Sequence, residues 1–213
     1  MKIKTKKKVL FTTKWITYTA MMTALVVATG YIPGIPVLTG KIYWCDFVIY
    51  TAAYILDPVG ATIVGGIGTT FFDLFGINGT AYNAIPSLLI HGLQGCVASV
   101  LFMLANKFFN KSGSEKRETA VAVISSVLPA LIVIFGYFIK RLTWEHMTAD
   151  AALLKMPANV LQEIVGITVA VLITYAARFK AQLKNAHLLP DFKNEILDKQ
   201  PKEQIAEDPP QEQ

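Results

Sequence analysis

Residues 43 to 76 read YWCDFVIYTAAYILDPVGATIVGGIGTTFFDLFG, an apolar run that carries charge only at Asp46, Asp57 and Asp73. A single helix over the whole stretch is excluded by Pro58 and by the glycines Gly60, Gly65, Gly66 and Gly68. Two tightly linked spans, broken at Asp57-Pro58, are the reading that remains. The alternation of a membrane β-strand is absent, and each half is longer than the ~9 to 11 residues such a strand needs.

Four more apolar segments join these two. The six run approximately over Trp15 to Ile32, Tyr43 to Leu56, Val59 to Gly76, Pro86 to Phe109, Ala120 to Lys140 and Pro157 to Arg178. The composition agrees: 53% of the 213 residues are hydrophobic against 16% charged, and the mean hydropathy is +0.44. A spanning helix needs roughly 20 apolar residues, so the second segment, short and holding Asp46, fits that length least well. The expected fold class is all-α, a bundle of six transmembrane helices. A cleaved signal peptide at the start is disfavoured, because five further spans follow.

The positive charge sets the orientation. With the N-terminus inside, the cytoplasmic segments hold six lysines before residue 15, then Lys107, Lys111, Lys116 and Arg117, then Arg178, Lys180 and Lys184; the outer loops hold Lys41, Lys140, Arg141 and Lys155. That bias places both termini in the cytoplasm. It also accounts for the net charge of +5 without any nucleic-acid partner, the basic N-terminus being an orientation signal or a contact with anionic lipid. Three regions follow: a basic N-terminus (1–14), a membrane domain (15–180), and an acidic tail (181–213) too poor in apolar residues to fold alone.

Enzyme signatures are missing. GGIGTT, residues 65 to 70, has the glycines of a phosphate-binding loop but neither its lysine nor a preceding strand, and no Gly-x-Ser-x-Gly, His-Glu-x-x-His or Cys-x-x-Cys occurs. Cys45 and Cys96 stand apart as small buried hydrophobes. No catalytic residue, metal site or cofactor is expected.

The spans do carry polar residues at helical spacing. Asn159, Gln162, Glu163 and Gly166 share one face, as do His91, Gln94, Gly95 and Ala98, and Gly65, Thr69 and Asp73. Ionisable groups inside a bilayer are costly and face the bundle interior or a watery cavity. Given the direction of each span, the three faces converge in the outer half of the bundle, where a polar pocket for an extracellular solute belongs. Loop residues surround that end: Tyr31, Tyr43 and Trp44; Asn78, Tyr82 and Asn83; Trp144, Glu145 and His146. Most of these aromatics are expected to serve as an interfacial belt. The candidate solute-binding set is Trp44, Asp73, Asn83, His91, Gln94, Trp144, Asn159, Gln162 and Glu163. In the first span Ala20, Ala24 and Ala28 form a smooth stripe that admits close approach of another helix, either a partner subunit or a neighbour in the same chain.

Taken together, Ala20-x-x-x-Ala24-x-x-x-Ala28, Asp46, Asp57-Pro58-Val-Gly60, Gly65-Gly66-Ile-Gly68, Asp73, Pro86, His91-Gly92-Leu-Gln94-Gly95 and Pro157-x-Asn159-x-x-Gln162-x-x-Gly166 make the chain resemble the substrate-binding S component of an energy-coupling factor (ECF) vitamin transporter, in the branch around riboflavin, pyridoxine and hydroxymethylpyrimidine. The resemblance spans roughly residues 15 to 178. It implies a bacterial cell-membrane subunit that binds a vitamin from outside and associates with a membrane T component carrying two cytoplasmic ATPases, with the alanine stripe as the docking ridge. The pocket candidates themselves suit a flat, neutral, hydrogen-bonding heteroaromatic ligand, stacked on Trp44 or Trp144 and read by His91, Asn159 and Gln162, with Glu163 pairing with a ring nitrogen or amine or with His91. A free-standing carrier or accessory subunit, and more remotely a membrane enzyme using Asp73, His91 and Glu163, are the alternatives.

Overall fold

A computed structural model describes residues 12–37, 40–77, 79–109 and 114–176. Most of the basic N-terminus, the loop residue Asn78 and the whole acidic tail lie outside the described residues. Each of the six apolar segments is helical over most of its described residues. Helix α1 (Thr13–Thr29) starts at Thr12, whose hydroxyl accepts the Trp15 amide, and buries the face formed by Trp15, Tyr18, Met22 and Val26. A small antiparallel hairpin follows, β1 (Ile35–Val37) with β2 (Gly40–Ile42). Then come α2 (Cys45–Ile55) and α3 (Pro58–Phe75).

The break between α2 and α3 is built from the residues that predicted it. Pro58 occupies the first turn of α3, where its missing N–H costs nothing. Asp57 caps that helix: its Oδ1 accepts the Gly60 amide at 3.2 Å and the Trp15 indole Nε1–H at 2.6 Å. A cap of this kind contributes about 1 kcal/mol, and the indole bond fastens α1 to the same corner.

A 3-10 turn (Ala81–Asn83) leads into α4 (Ala84–Phe109), and α5 (Glu115–Thr143) returns. A six-residue helix, α6 (Ala149–Leu154), precedes α7 (Met156–Val171), which continues as a π-helical turn over Leu172–Ala176. The hairpin, α6 and the 3-10 turn have no counterpart among the predicted elements, because all three are too short to leave a periodic signal.

Among the described residues, four segments are long and apolar enough to cross a membrane: Pro58–Phe75, Ala81–Phe109, Lys116–Thr143 and Ala149–Tyr175. Helix α1, at 17 residues, and α2, at 11, are shorter. The pattern of exposure is that of a membrane protein: Leu89, Leu93, Ile124, Val127 and Phe135 face outward while Asp46, Gln94, Ser99, Ser126 and Glu163 are enclosed.

Helix α2 is the central strut. Every residue from Cys45 to Ile55 except Phe47 is buried, against α1, α3, α4 and α7. Its Asp46 is therefore surrounded by protein rather than lipid, which is why a short helix with an acid in its first turn is tolerated here. Close approach of the surrounding helices depends on glycine. A Cβ on Gly65 would sit 2.2 Å from the His91 carbonyl oxygen, one on Gly95 2.3 Å from that of Ala61, and one on Gly166 2.8 Å from Asp46 Cβ. The first two let α3 and α4 touch backbone to backbone, and the third brings α7 against the start of α2.

Candidate functional site

The starts of α2, α4 and α7 and the ends of α3 and α5 meet at the end of the bundle that bears the β-hairpin. The polar faces read from the sequence converge there, and Asp46 is their hub. His91 and Glu163 each lie seven residues into their helices, roughly 10 Å along the axis.

Two glutamines hold the Asp46 carboxylate. Gln162 Nε2 donates to Oδ2 at 2.5 Å and Gln94 Nε2 to Oδ1 at 3.2 Å. The same Gln94 nitrogen reaches Glu163 Oε2 at 3.4 Å, which also accepts the Tyr50 hydroxyl at 2.6 Å. Gln162 Oε1 accepts the Tyr43 backbone N–H at 3.1 Å, tying the exit of the hairpin to α7. The ring nitrogen Nδ1 of His91 faces two acceptors, Gln94 Oε1 at 2.7 Å and Asp46 Oδ1 at 3.5 Å. It therefore carries a hydrogen, and in the neutral ring Nε2 accepts from the Tyr137 hydroxyl at 2.9 Å. Ser87 Oγ lies 3.4 Å from that hydroxyl and also bonds Asp73, extending the network to α3.

The network is enclosed: Asp46 and Gln94 are 0% exposed, His91 and Glu163 2%. Toward the hairpin end it gives way to charged and aromatic groups. Arg141 donates to Asn159 Oδ1 at 3.1 Å, Lys140 pairs with Glu145 at 2.5 Å, and both cations lie over the Tyr137 ring. Among the described residues, four buried polar atoms in this region have no hydrogen-bond partner: Glu163 Oε1, Trp44 Nε1, Arg141 Nη1 and Asn159 Nδ2. Buried polar groups left unpaired are costly, and these four lie around one network.

Of the sequence-derived candidates, His91, Gln94, Gln162 and Glu163 come together directly. Asn159 and Trp44 border them, and Asp73 joins through Ser87. Trp144 packs against Tyr82, with ring centroids 5.6 Å apart, and its indole N–H donates to the Tyr82 carbonyl at 3.0 Å; the Tyr82 hydroxyl returns a bond to the Trp144 carbonyl. Asn83 sits in the 3-10 turn beside them. Several participants were absent from the candidate set, Asp46, Tyr50, Ser87, Tyr137 and Arg141 among them. Asp46 was visible as an ionisable residue in an apolar run, whereas Tyr50 and Tyr137 read as ordinary aromatics, their hydroxyls leaving no periodic trace. Cys45 does not stand apart as expected: its Sγ lies within 4.8 Å of ligand atoms from Asp46 and His91. Asp46 and His91 are already bonded to the two glutamines.

The alanine stripe lies elsewhere. Ala20, Ala24 and Ala28 are all exposed on α1, so no other described helix covers them. Ala20 and Ala24 line a shallow apolar groove of about 600 Å³ between α1 and α3, with Thr23, Ile63, Phe71 and Phe75 among its walls.

The sequence model of the family described as ECF-type riboflavin transporter, S component, matches residues 10–178. The chain belongs to this family. S components are membrane-embedded substrate-binding subunits of ECF transporters, so this one is a transporter subunit and not an enzyme. Among solved structures, the S component for biotin from an ECF-type ABC transporter shares the fold, with a TM-score of 0.53 at 19% identity over 79% of this chain and 95% of that one. No curated protein sequence matches this S component.

Proposed function

We propose that this S component binds a water-soluble vitamin or vitamin precursor of pyridine, pyrimidine or flavin type at the hairpin end of the bundle and delivers it to a T component and two cytoplasmic ATPases. The observation that carries this reading is the buried Asp46 network with unpartnered polar atoms beside it, in a chain of a solute-binding family. The ligand contacts are assigned to His91, Gln94, Gln162 and Glu163 with Asp46 among them. Trp44 and Asn159 stand at the mouth, and Asp73, Asn83 and Trp144 around it. The bias of lysine and arginine supports six membrane-inserted segments, both termini in the cytoplasm and the hairpin end outside, in a bacterial plasma membrane.

The exposed stripe Ala20, Ala24 and Ala28 and its groove are assigned to the T component. Small side chains allow a partner helix to approach closely in lipid, where close packing rather than water exclusion drives association.

Titration of the detergent-purified chain with B vitamins and their precursors, followed calorimetrically, tests the binding reading. Saturable, stoichiometric binding of one compound that weakens in Gln162→Ala and Asn159→Ala is the expected result. Unchanged affinity in both variants would remove this pocket from consideration.

A further inference from the structure

The charge balance of the Asp46 network is incomplete. Asp46 and Glu163 are both buried and are bridged by one amide nitrogen, Gln94 Nε2, at 3.2 and 3.4 Å. Among the described residues no lysine or arginine lies within 4.0 Å of either carboxylate, and His91 is the one basic group that reaches Asp46, at 3.5 Å. The cations nearby are committed elsewhere, Lys140 to Glu145 and Arg141 to Asn159. Even with His91 protonated, two carboxylates would face one positive charge in a site shut off from water. Buried charges persist when paired and hydrogen-bonded, and buried acids otherwise keep a proton, so the two acids either hold protons or meet a cation from outside the chain.

The unpartnered atoms give that gap a direction. Glu163 Oε1, an acceptor, lies at the inner level; Arg141 Nη1 and Asn159 Nδ2, both donors, lie nearer the hairpin end. Asn159 and Glu163 are one turn apart on the same face of α7, a rise of about 6 Å. The two levels are close enough for one small ring compound to meet both.

We infer that the substrate of this S component is a small ring compound with a protonatable, hydrogen-bond-donating nitrogen that docks between Asp46 and Glu163, and with an accepting oxygen or ring nitrogen that meets Arg141 and Asn159. This rests on the solute-binding reading above and narrows it to an aminated heteroaromatic. A neutral flavin supplies no cation to the carboxylates. A biotin-type carboxylate suits only the Arg141 end.

Ligand pairs that differ by one group test it. Calorimetry on the full chain in lipid nanodiscs would compare pyridoxamine with pyridoxine, and 4-amino-5-hydroxymethyl-2-methylpyrimidine with its 4-hydroxy analogue, with riboflavin and biotin as neutral and anionic references. The expected result is that the amine of at least one pair binds roughly 10- to 100-fold tighter than its hydroxyl partner, the range of a charge-assisted hydrogen bond. Glu163→Gln, and independently Asp46→Asn, should bring the amine and its hydroxyl partner to within a few fold of each other. If either variant fails to give a monodisperse protein, the comparison of ligands on the wild type still decides. Equal or tighter binding of the hydroxyl partners or of riboflavin would overturn the inference and leave the solute-binding reading intact. No binding by any of the six compounds would overturn both.

Discussion

Gln162 on α7 donates its side-chain amide to Asp46 at the start of α2 at 2.5 Å, and with its carbonyl accepts the backbone N–H of Tyr43. One side chain thus joins the last long helix, the central strut and the exit of the β-hairpin. Gln162→Ala removes both bonds and leaves a buried carboxylate oxygen short of a strong donor. A hydrogen bond to a charged group contributes about 1.5 to 3 kcal/mol, so ligand affinity should fall by roughly 10- to 100-fold. Gln162→Glu should be worse than the alanine variant, because it sets a second negative charge against Asp46. Calorimetry on the three proteins gives the order; an alanine variant weaker than the glutamate one would mean that Asp46 is held by other groups.

Glycine positions separate contact from mere proximity. A Cβ on Gly65 meets the His91 carbonyl at 2.2 Å, whereas one on Gly92 finds its nearest neighbour, Gly66 Cα, at 3.5 Å. Gly65→Ala must push α3 and α4 apart and should cost about 1 to 3 kcal/mol, the range for overpacking. Gly92→Ala should be close to neutral. Thermal unfolding of the two variants in detergent checks the contrast. Because Gly65 presses on the backbone of His91, its substitution should also weaken ligand binding; equal melting temperatures for both variants would refute the backbone contact.

The helical segments were legible because a membrane span is read from length and apolarity, which neither burial nor neighbours can disguise. The polar faces were legible for a related reason: His91 with Gln94, and Asn159 with Gln162 and Glu163, keep helical spacing whatever they touch. Asp46 was harder. In isolation an acid in a short apolar run argues against a span, and only the burial of α2 on every side turns that objection into a hub. Tyr50 and Tyr137 could not be read at all, since a hydroxyl on a ring does not alter the apolar pattern. Ile35-Pro36-Val37 and Gly40-Lys41-Ile42 are three residues each, one strand containing proline, too little for alternation to register.

Cys45, Asp46 and His91 bring three metal-ligating atoms within 4.8 Å, yet His91 Nδ1 and both Asp46 oxygens are engaged by Gln94 and Gln162. A metal ion would have to displace those bonds. Dialysis against a chelator should therefore leave ligand affinity unchanged, and Cys45→Ala should bind as the wild type does. Stoichiometric zinc or copper in the purified protein by elemental analysis, lost together with affinity on chelation, would assign the cluster to a metal instead.

The docking groove calls for a variant that blocks it without touching the site. Ala24 is exposed on α1 and lines the groove, on the opposite side of that helix from the buried Met22 and Val26. Ala24→Trp fills the groove with an indole. Co-purification with the T component and ATPases should be lost while solute affinity stays within about twofold of the wild type. Full assembly with Ala24→Trp would place the partner's contact elsewhere on the subunit.

The tryptophans report on the site separately. Trp15 is bonded to Asp57 at the far end of the bundle, Trp144 packs at a tilt against Tyr82 and is bonded to it, and Trp44 immediately precedes α2, two residues before Asp46, with its buried indole N–H unpartnered among the described residues. A ligand that reaches Asp46 and Glu163 changes the surroundings of Trp44 and leaves the other two indoles with the partners they already have. Ligand-dependent quenching of intrinsic fluorescence should therefore vanish in Trp44→Phe and persist in Trp144→Phe and Trp15→Phe, with affinity in the Trp144 variant measured by calorimetry to hold it constant. Quenching that survives Trp44→Phe and disappears in Trp144→Phe would move the ligand outward, to the Tyr82 and Trp144 pair at the mouth, and leave the Asp46 network as a structural clamp between α2, α4 and α7.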